Sequence, residues 1–239
     1  RSWAVASLTE LSFLKDYKGD IDRALASLDE AEKKLDIGMD EELADILKNR
    51  FRLFSKYGIV DKIPALSIKV DSLMSATSDK GVRLMCLELQ IDNAVKAGHT
   101  SEAISLCHDA IGLLETSSDT QGRDTKMYAI LNRLRPLCLA TQKYSDAMDI
   151  SRKMLAIREK DSGSDVVMEY FHVAEVYQAL RDTTKALSYV DSIMNNGGKP
   201  SVDPMMEGRH PQLVGMLHGR FGKWDEAVRY YEKADSAMA

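Results

Sequence analysis

The chain has 239 residues, of which 44% are hydrophobic and 29% charged, and its net charge is −5. This composition is typical of a folded globular protein and excludes a disordered or fibrous chain. Lys and Arg are not concentrated in any window, which argues against a nucleic-acid surface, and no run of about 18 apolar residues could span a membrane.

A frame of apolar residues recurs along the chain, and each copy is centred on one anchor residue. In the first copy Gly19 stands five residues before Ala24, and Leu28 and Ala31 stand four and seven residues after it. Residues at this spacing lie on one face of a helix, so each copy predicts a helix that buries this face. The turn glycine allows the left-handed conformation that ends the preceding helix. The anchors stand 39, 40, 44, 39 and 41 residues apart, at Ala24, Ile63, Ala103, Ala147, Ala186 and Ala227.

In chain order this frame predicts six helix hairpins and no strand, because strand-type alternation of Val, Ile and Thr is absent. The first five copies have a large apolar residue 16 positions before the anchor, and the sixth has Pro211 there. The first helix of the sixth copy is therefore expected to begin late, near that proline. Residues 195–210 contain three Gly and two Pro and are predicted to be the longest irregular connection. The predicted hairpins form a single array over residues 1–239 and cover residues 4–37, 43–77, 82–117, 125–160, 166–196 and 209–238.

Two copies preserve the frame best. They are Gly222-Lys223-Trp224-Asp225-Glu226-Ala227 with Tyr231 and Ala234, and Gly19-Asp20-Ile21-Asp22-Arg23-Ala24 with Leu28 and Ala31. On these residues the chain resembles the tetratricopeptide repeat (TPR) family over essentially its whole length. Copies four and five depart from the family pattern, with Gln142 and Arg181 at the turn glycine. The period also exceeds the family's usual length of about 34 residues, and in this respect the chain resembles the sensory TPR arrays of Bacteroidetes signalling and regulatory proteins.

The resemblance implies an α-solenoid, a right-handed superhelix in which the first helix of each pair lines a concave groove for a peptide or partner helix. Lys48 and Arg52, with Asn132, would suit a carboxylate or an acidic peptide, because Arg can bind a carboxylate through two hydrogen bonds. The alternative is a solvated charged face, which the alternating charges of neighbouring copies favour. The expected groove residues are Asp45, Lys48, Arg52, Lys56, Glu88, Asp92, Lys96, Asn132, Phe171, Glu175 and Gln178.

Catalytic and metal-binding motifs are not evident in the sequence. It has no phosphate-binding glycine loop, no H-E-x-x-H, no C-x-x-C and no G-x-S-x-G. Cys107 and His108 are adjacent, so they project about 100° apart on a helix and cannot act as a nucleophile–base pair. The cysteines at 86, 107 and 138 lie in apolar helical contexts, which predicts buried free thiols. We therefore expect a protein that is not an enzyme and that uses no metal or cofactor.

Two interpretations of function remain open. The first is a TPR scaffold that binds a protein or peptide as the sensory part of a larger signalling protein, either a membrane-anchored transcriptional regulator or a histidine kinase. The long period favours it, as does a chain that opens on Arg1 and stops where a further element is expected. It implies an extracytoplasmic, periplasmic segment, with the cytoplasm as the alternative. The second interpretation is a free-standing adaptor or assembly protein. Self-association through the end repeats fits either, and an enzyme with a site near residues 195–210 is a third alternative.

Overall fold

The computed structural model describes residues 2–117, 122–160, 166–195 and 206–238, and these residues form α-helices joined by short connections. They belong to two compact units, Arg1–Gln121 and Gly122–Ala239, each with three helix hairpins. Neither unit contains a strand among the described residues. The prediction of an all-α solenoid of helix hairpins is confirmed. That the two units form a single array stays a prediction.

The first unit contains six α-helices. Aspartates cap two of them: the Asp20 side chain accepts a hydrogen bond from the Arg23 backbone N–H, and Asp79 does the same for Val82. A short 3₁₀ turn, Val60–Lys62, precedes the fourth helix. The helices are α1 (Ser2–Tyr17), α2 (Ile21–Lys33), α3 (Asp40–Tyr57), α4 (Ile63–Ala76), α5 (Lys80–Ala97) and α6 (Thr100–Glu115). The first helices of neighbouring hairpins contact each other, α1 with α3 and α3 with α5.

The second unit also consists of three helix hairpins, with one interruption. The second helix of the fifth hairpin is divided at Tyr189, whose ring lies 6.1 Å from the rings of Tyr170 and Tyr177 on the first helix of the hairpin. The helices are α7 (Arg123–Ala140), α8 (Tyr144–Glu159), α9 (Val167–Ala179), α10 (Thr183–Ser188), α11 (Val190–Met194), α12 (Met206–Arg220) and α13 (Trp224–Met238).

Every hairpin turn has one residue in the left-handed backbone conformation. The φ angles are 78° at Gly19, 69° at Gly58, 76° at Gly98, 59° at Gln142, 60° at Arg181 and 70° at Gly222. Residues with a Cβ seldom adopt this conformation, which glycine reaches at no steric cost. The backbone therefore keeps the same turn in hairpins four and five, although the sequence has no glycine there.

Alanine anchors allow the two helices of a hairpin to pack closely. Ala24, Ala103, Ala147 and Ala186 are fully buried, and Ala227 is 3% exposed. The first helices also bury large apolar residues, among them Leu47, Leu87 and Leu131. Burial of one such leucine stabilises the fold by about 1.5–3 kcal/mol. The predicted anchors of these hairpins are thus in the core, whereas Tyr231, four residues after Ala227, is 43% exposed.

The second hairpin departs from the predicted frame. Its anchor is Leu66 rather than Ile63, because α4 buries Leu66, Val70 and Leu73 while Ile63 is only partly buried. The physical reason is the 3₁₀ turn Val60–Lys62, which delays the start of α4 to Ile63. In the other hairpins the second helix begins three residues before the anchor, and Leu66 stands three residues after the start of α4.

The sixth hairpin begins earlier than predicted. Its first helix starts at Met206 and contains Pro211, so the expectation of a start near the proline is wrong, and residues 206–210 are helical rather than irregular. Pro211 lies in the second turn of α12, where its missing N–H removes one backbone hydrogen bond. Residues 196–205, the rest of the predicted irregular connection, lie outside the described residues.

Candidate functional site

A groove runs between α3 and α5 in the first unit. Its volume is about 430 Å³, within the range of small ligand pockets. The lining residues on α3 recur every one to three residues and those on α5 every three or four, because one face of each helix borders the groove. Its lining residues are Lys48, Phe51, Arg52, Ser55, Lys56, Leu89, Asp92 and Lys96. We call this set of residues the α3–α5 groove.

The floor of the α3–α5 groove is apolar, and among its charged lining residues four cations outnumber the single acid, Asp92. Phe51 is 7% exposed and Leu89 is 5% exposed, so both belong to the core. The Lys96 Nζ lies 4.9 Å from the centre of the Phe51 ring, a cation–π distance. Lys48 Nζ lies 3.8 Å from a carboxylate oxygen of Glu88. Four cationic side chains therefore surround a small apolar surface.

Asp16 of α1, which the sequence analysis did not select, holds two of these cations. One of its oxygens accepts hydrogen bonds from Lys56 Nζ and from the Tyr57 hydroxyl, both at 2.8 Å, and the other accepts from Arg52 Nη1. The Asp16 side chain is only 4% exposed. Its burial alone would raise its pKa, but the hydrogen bonds from Lys56, Arg52 and Tyr57 outweigh this effect and lower the pKa to about 2. The carboxylate is therefore ionised at neutral pH.

The repeat frame contains a signal that could have found Asp16. Asp16 stands eight residues before its anchor, Ala24, as Ser55 stands eight residues before Ile63. Asp16 thus occupies the position on α1 that Ser55 occupies on α3. This equivalence would have marked Asp16 as an acid at a groove-lining position, but its contact with Arg52 depends on how α1 packs against α3.

Some polar atoms of the α3–α5 groove have no hydrogen-bond partner among the described residues. They are Nε and Nη2 of Arg52 and the hydroxyl oxygen of Ser55, all of them buried. The Arg52 guanidinium also lies 5.2 Å from the centre of the Phe13 ring. Unpaired buried polar atoms are costly, so these atoms are an unfavourable feature of the groove wall.

Three solved structures have a similar backbone at low sequence identity. BtubC (BKLC) from P. vanneervenii matches with a TM-score of 0.66 and 15% identity, over 98% of this chain and 89% of that one. Nearly identical TPR-like repeats from Podosopora anserina match with a TM-score of 0.57 and 14% identity, over 100% and 97% of the two chains. A Rap protein complexed with Competence and Sporulation Factor matches with a TM-score of 0.59 and 18% identity, over 99% of this chain. This chain spans 66% of that Rap protein.

The chain has the tetratricopeptide-repeat fold. Neither a family model nor a curated protein matches the sequence. At this level of identity the similarity defines the TPR fold and leaves the function to the site.

In the first TPR unit, most of the expected groove residues lie together. Lys48, Arg52, Lys56, Asp92 and Lys96 line the α3–α5 groove. Two others lie nearby without lining it. Glu88 contacts Lys48, and Asp45 is exposed, with its backbone carbonyl accepting a hydrogen bond from the Asn49 side chain.

The expected residues of the second TPR unit have different environments. Asn132 is exposed and Gln178 is partly buried. Phe171 is 4% exposed and packs in the core rather than on an open surface, and the Arg220 guanidinium lies 5.5 Å from the centre of its ring. Asn132 belongs to the second unit and Lys48 and Arg52 to the first, so a joint carboxylate site of these three residues stays a prediction.

Glu175 is the centre of an ion cluster within the second unit. Arg135 Nη1 of α7 donates to one carboxylate oxygen at 2.8 Å, and Arg220 Nη1 of α12 donates to the other at 2.6 Å. Burial opposes ionisation, but these two arginines lower the Glu175 pKa. His172, one turn away, is 6% exposed, and burial, with a smaller contribution from Arg135, lowers its pKa to about 4. Glu175 thus joins three successive hairpins.

Other candidate chemistry is sparse among the described residues. Cys86, Cys107 and Cys138 are buried and form no disulfide bond, as the sequence predicts, and burial raises the pKa of Cys86 to about 11. A raised pKa keeps a thiol protonated and unreactive. Within residues 2–117, 122–160, 166–195 and 206–238, no group of three His, Cys, Asp or Glu side chains is arranged to hold a metal ion. In the same ranges, no helix combines the length and the apolar character that a membrane span requires.

Proposed function

We propose that the chain is a non-catalytic TPR scaffold, and that the α3–α5 groove binds an acidic segment of a partner protein or peptide. The observation that carries this proposal is the arrangement of Lys48, Arg52, Lys56 and Lys96 around the apolar floor of the groove. These cations attract carboxylates, and the floor accepts apolar side chains between them. A volume of about 430 Å³ holds a few side chains, so a short segment fits.

One structural relative supports binding as the use of this fold. The Rap protein that matches the chain was solved in complex with Competence and Sporulation Factor. From this relative we take only the proposal that a protein with this fold binds a partner. The acidic character of the partner rests on the residues of this chain.

Peptide selection tests the proposal directly. A library of random peptides is displayed and selected on the purified chain, and the affinities of the enriched peptides are measured by fluorescence polarisation. We expect acidic peptides with interspersed apolar residues, whose binding weakens as salt is raised. The double substitution Lys48→Glu with Lys96→Glu should abolish binding, because it reverses two charges of the α3–α5 groove.

A matched control makes the same change of charge at two lysines outside the α3–α5 groove. Lys33→Glu with Lys34→Glu alters two exposed lysines of the same unit, the last residue of α2 and its C-cap, so binding should change less than about twofold if the groove is the site. If selection enriches no peptide, or if both double variants weaken binding equally, the α3–α5 groove is not a binding site.

We further propose that this scaffold is the sensory or interaction part of a larger signalling protein. The repeat spacing of 39 to 44 residues supports this proposal, because it resembles that of sensory arrays more than that of compact TPR adaptors. The complete gene tests it: a membrane-spanning helix joined to a DNA-binding or histidine-kinase module supports the sensor. A gene that encodes the array alone refutes it and leaves a free-standing adaptor.

A further inference from the structure

The four cations of the α3–α5 groove are not equivalent. Arg52 and Lys56 are bound to the Asp16 carboxylate. Lys96 contacts the Phe51 ring and has no ion pair among the described residues. An acidic partner therefore meets two cations that already share an internal carboxylate.

We propose that Asp16 is a built-in competitor for the α3–α5 groove, and that its carboxylate sets the affinity of the groove for acidic partners. The inference rests on the proposed function, since it concerns the strength of binding at that same groove. In the absence of a partner, Asp16 neutralises part of the positive charge of Arg52 and Lys56. A bound carboxylate has to share those two side chains with it.

Burial and exposure support this division of roles. Asp16 is 4% exposed and is held by three donors, so it is a fixed part of the protein. The side chains of Arg52 and Lys56 are 36% and 49% exposed, and both also line the groove. They can therefore contact Asp16 on one side and a partner on the other. Asp16 is bound through Nη1 of Arg52, and the buried Nε and Nη2 of the same guanidinium have no partner among the described residues.

The first test removes the charge of Asp16 and keeps its shape. The probe is a peptide of repeated Leu-Glu-Glu triplets, compared with a Leu-Gln-Gln peptide, and binding is measured by isothermal titration calorimetry on the full chain. Asp16→Asn should bind the acidic peptide about threefold to tenfold more tightly, because one opposing charge is lost near the bound carboxylates. The gain should shrink at high salt and be absent for the Leu-Gln-Gln peptide.

A matched control distinguishes this local effect from a change in net charge. Asp29 is also paired with an arginine, Arg50 at 2.8 Å, but neither residue lines the groove. Asp29→Asn makes the same chemical change in the same unit, and the affinity for the acidic peptide should stay within about twofold of the unaltered chain. An equal gain in both variants would refute a specific role of Asp16.

A second test begins with two lysines of the groove and leaves Asp16 unaltered. Lys56→Gln should weaken binding less than Lys96→Gln, because Lys56 is already paired with Asp16. In the Asp16→Asn background, Lys56→Gln should cause a larger loss than it does alone, which a double-mutant cycle measures. If circular dichroism shows that Asp16→Asn is unfolded, the comparison of Lys56→Gln with Lys96→Gln still decides the proposal.

The outcomes separate this inference from the proposed function. If the selected acidic peptides bind Asp16→Asn with unchanged affinity, the competing role of Asp16 is refuted and the proposed scaffold function stands. Selection of peptides that lack acidic residues, together with a Leu-Glu-Glu peptide that does not bind, overturns the acidic partner on which the inference depends. Failure of every peptide to bind overturns the proposed function itself.

Discussion

The left-handed turns of hairpins four and five allow a quantitative test of the repeat frame. Gln142 and Arg181 have φ angles of 59° and 60°, where the other turns have glycine. A residue with a Cβ costs about 1–2 kcal/mol in this conformation, and glycine loses about 0.5–1 kcal/mol more conformational freedom on folding. Gln142→Gly and Arg181→Gly should therefore each stabilise the second unit by about 0.5–1 kcal/mol.

The reverse change, from glycine to alanine, can be compared at two glycines of the first unit. A Cβ added at Gly58 or at Gly112 meets no heavy atom within 4 Å, so steric contact does not distinguish them. Gly58 has a φ of 69° and Gly112 lies within α6. Gly58→Ala should thus destabilise the unit by about 0.5–1 kcal/mol, and Gly112→Ala should stabilise it by a similar amount through helix propensity.

Urea unfolding followed by circular dichroism measures all four variants. In the second unit, a Trp3→Phe background leaves Trp224 as the only tryptophan and makes fluorescence specific for that unit. Trp3 is 83% exposed, so its replacement should not disturb the core. If both alanine variants move the free energy of unfolding in the same direction, backbone conformation does not control these positions. Destabilisation by Gln142→Gly would refute the strain argument.

Two further predictions concern the second unit. The pKa of His172 is about 4 in the folded chain, against an ordinary value near 6.5, so the unfolded chain binds the proton first as pH falls. Between pH 7 and pH 5 this should remove about 1–2 kcal/mol of stability, and His172→Gln should abolish most of that loss in urea unfolding at the two pH values. Glu175→Gln should destabilise the unit by about 2–4 kcal/mol, because Arg135, 10% exposed, and Arg220 lose their shared carboxylate. Thermal unfolding measures this loss, and the exposed Asp191→Asn should change stability by less than about 0.5 kcal/mol.

Much of the fold could be predicted because each hairpin repeats a pattern of burial that the sequence displays. Small anchors such as Ala24 and Ala103 have to lie where two helices approach closely, and the apolar residues four and seven positions later have to face the same way. The frame failed at Ile63 because a 3₁₀ turn postponed the helix. It failed before Pro211 because a helix can continue through a proline at the loss of one hydrogen bond.

The candidate site was less predictable, for a different reason. Lys48 and Arg52 share one face of α3, which follows from helical periodicity, whereas the resemblance to TPR arrays was needed to expect Lys96 of α5 in the same groove. Asp16 reaches Arg52 only through the packing of α1 against α3. Single-helix patterns do not encode contacts between hairpins, and the same limit hid the burial of Phe171 beneath Arg220. Charge partners are thus the part of the site that required coordinates.

Glu175 has a consequence for how the second unit unfolds. Solenoid repeats contact mainly their immediate neighbours, so they fray from the ends with limited cooperativity. Glu175 of the fifth hairpin is bonded both to Arg135 of the fourth and to Arg220 of the sixth. Opening the sixth hairpin therefore leaves the partly buried Glu175 carboxylate half-paired in the fifth, which raises the free energy of partly open states. The three hairpins should exchange their amide hydrogens as one cooperative block rather than in sequence from the end.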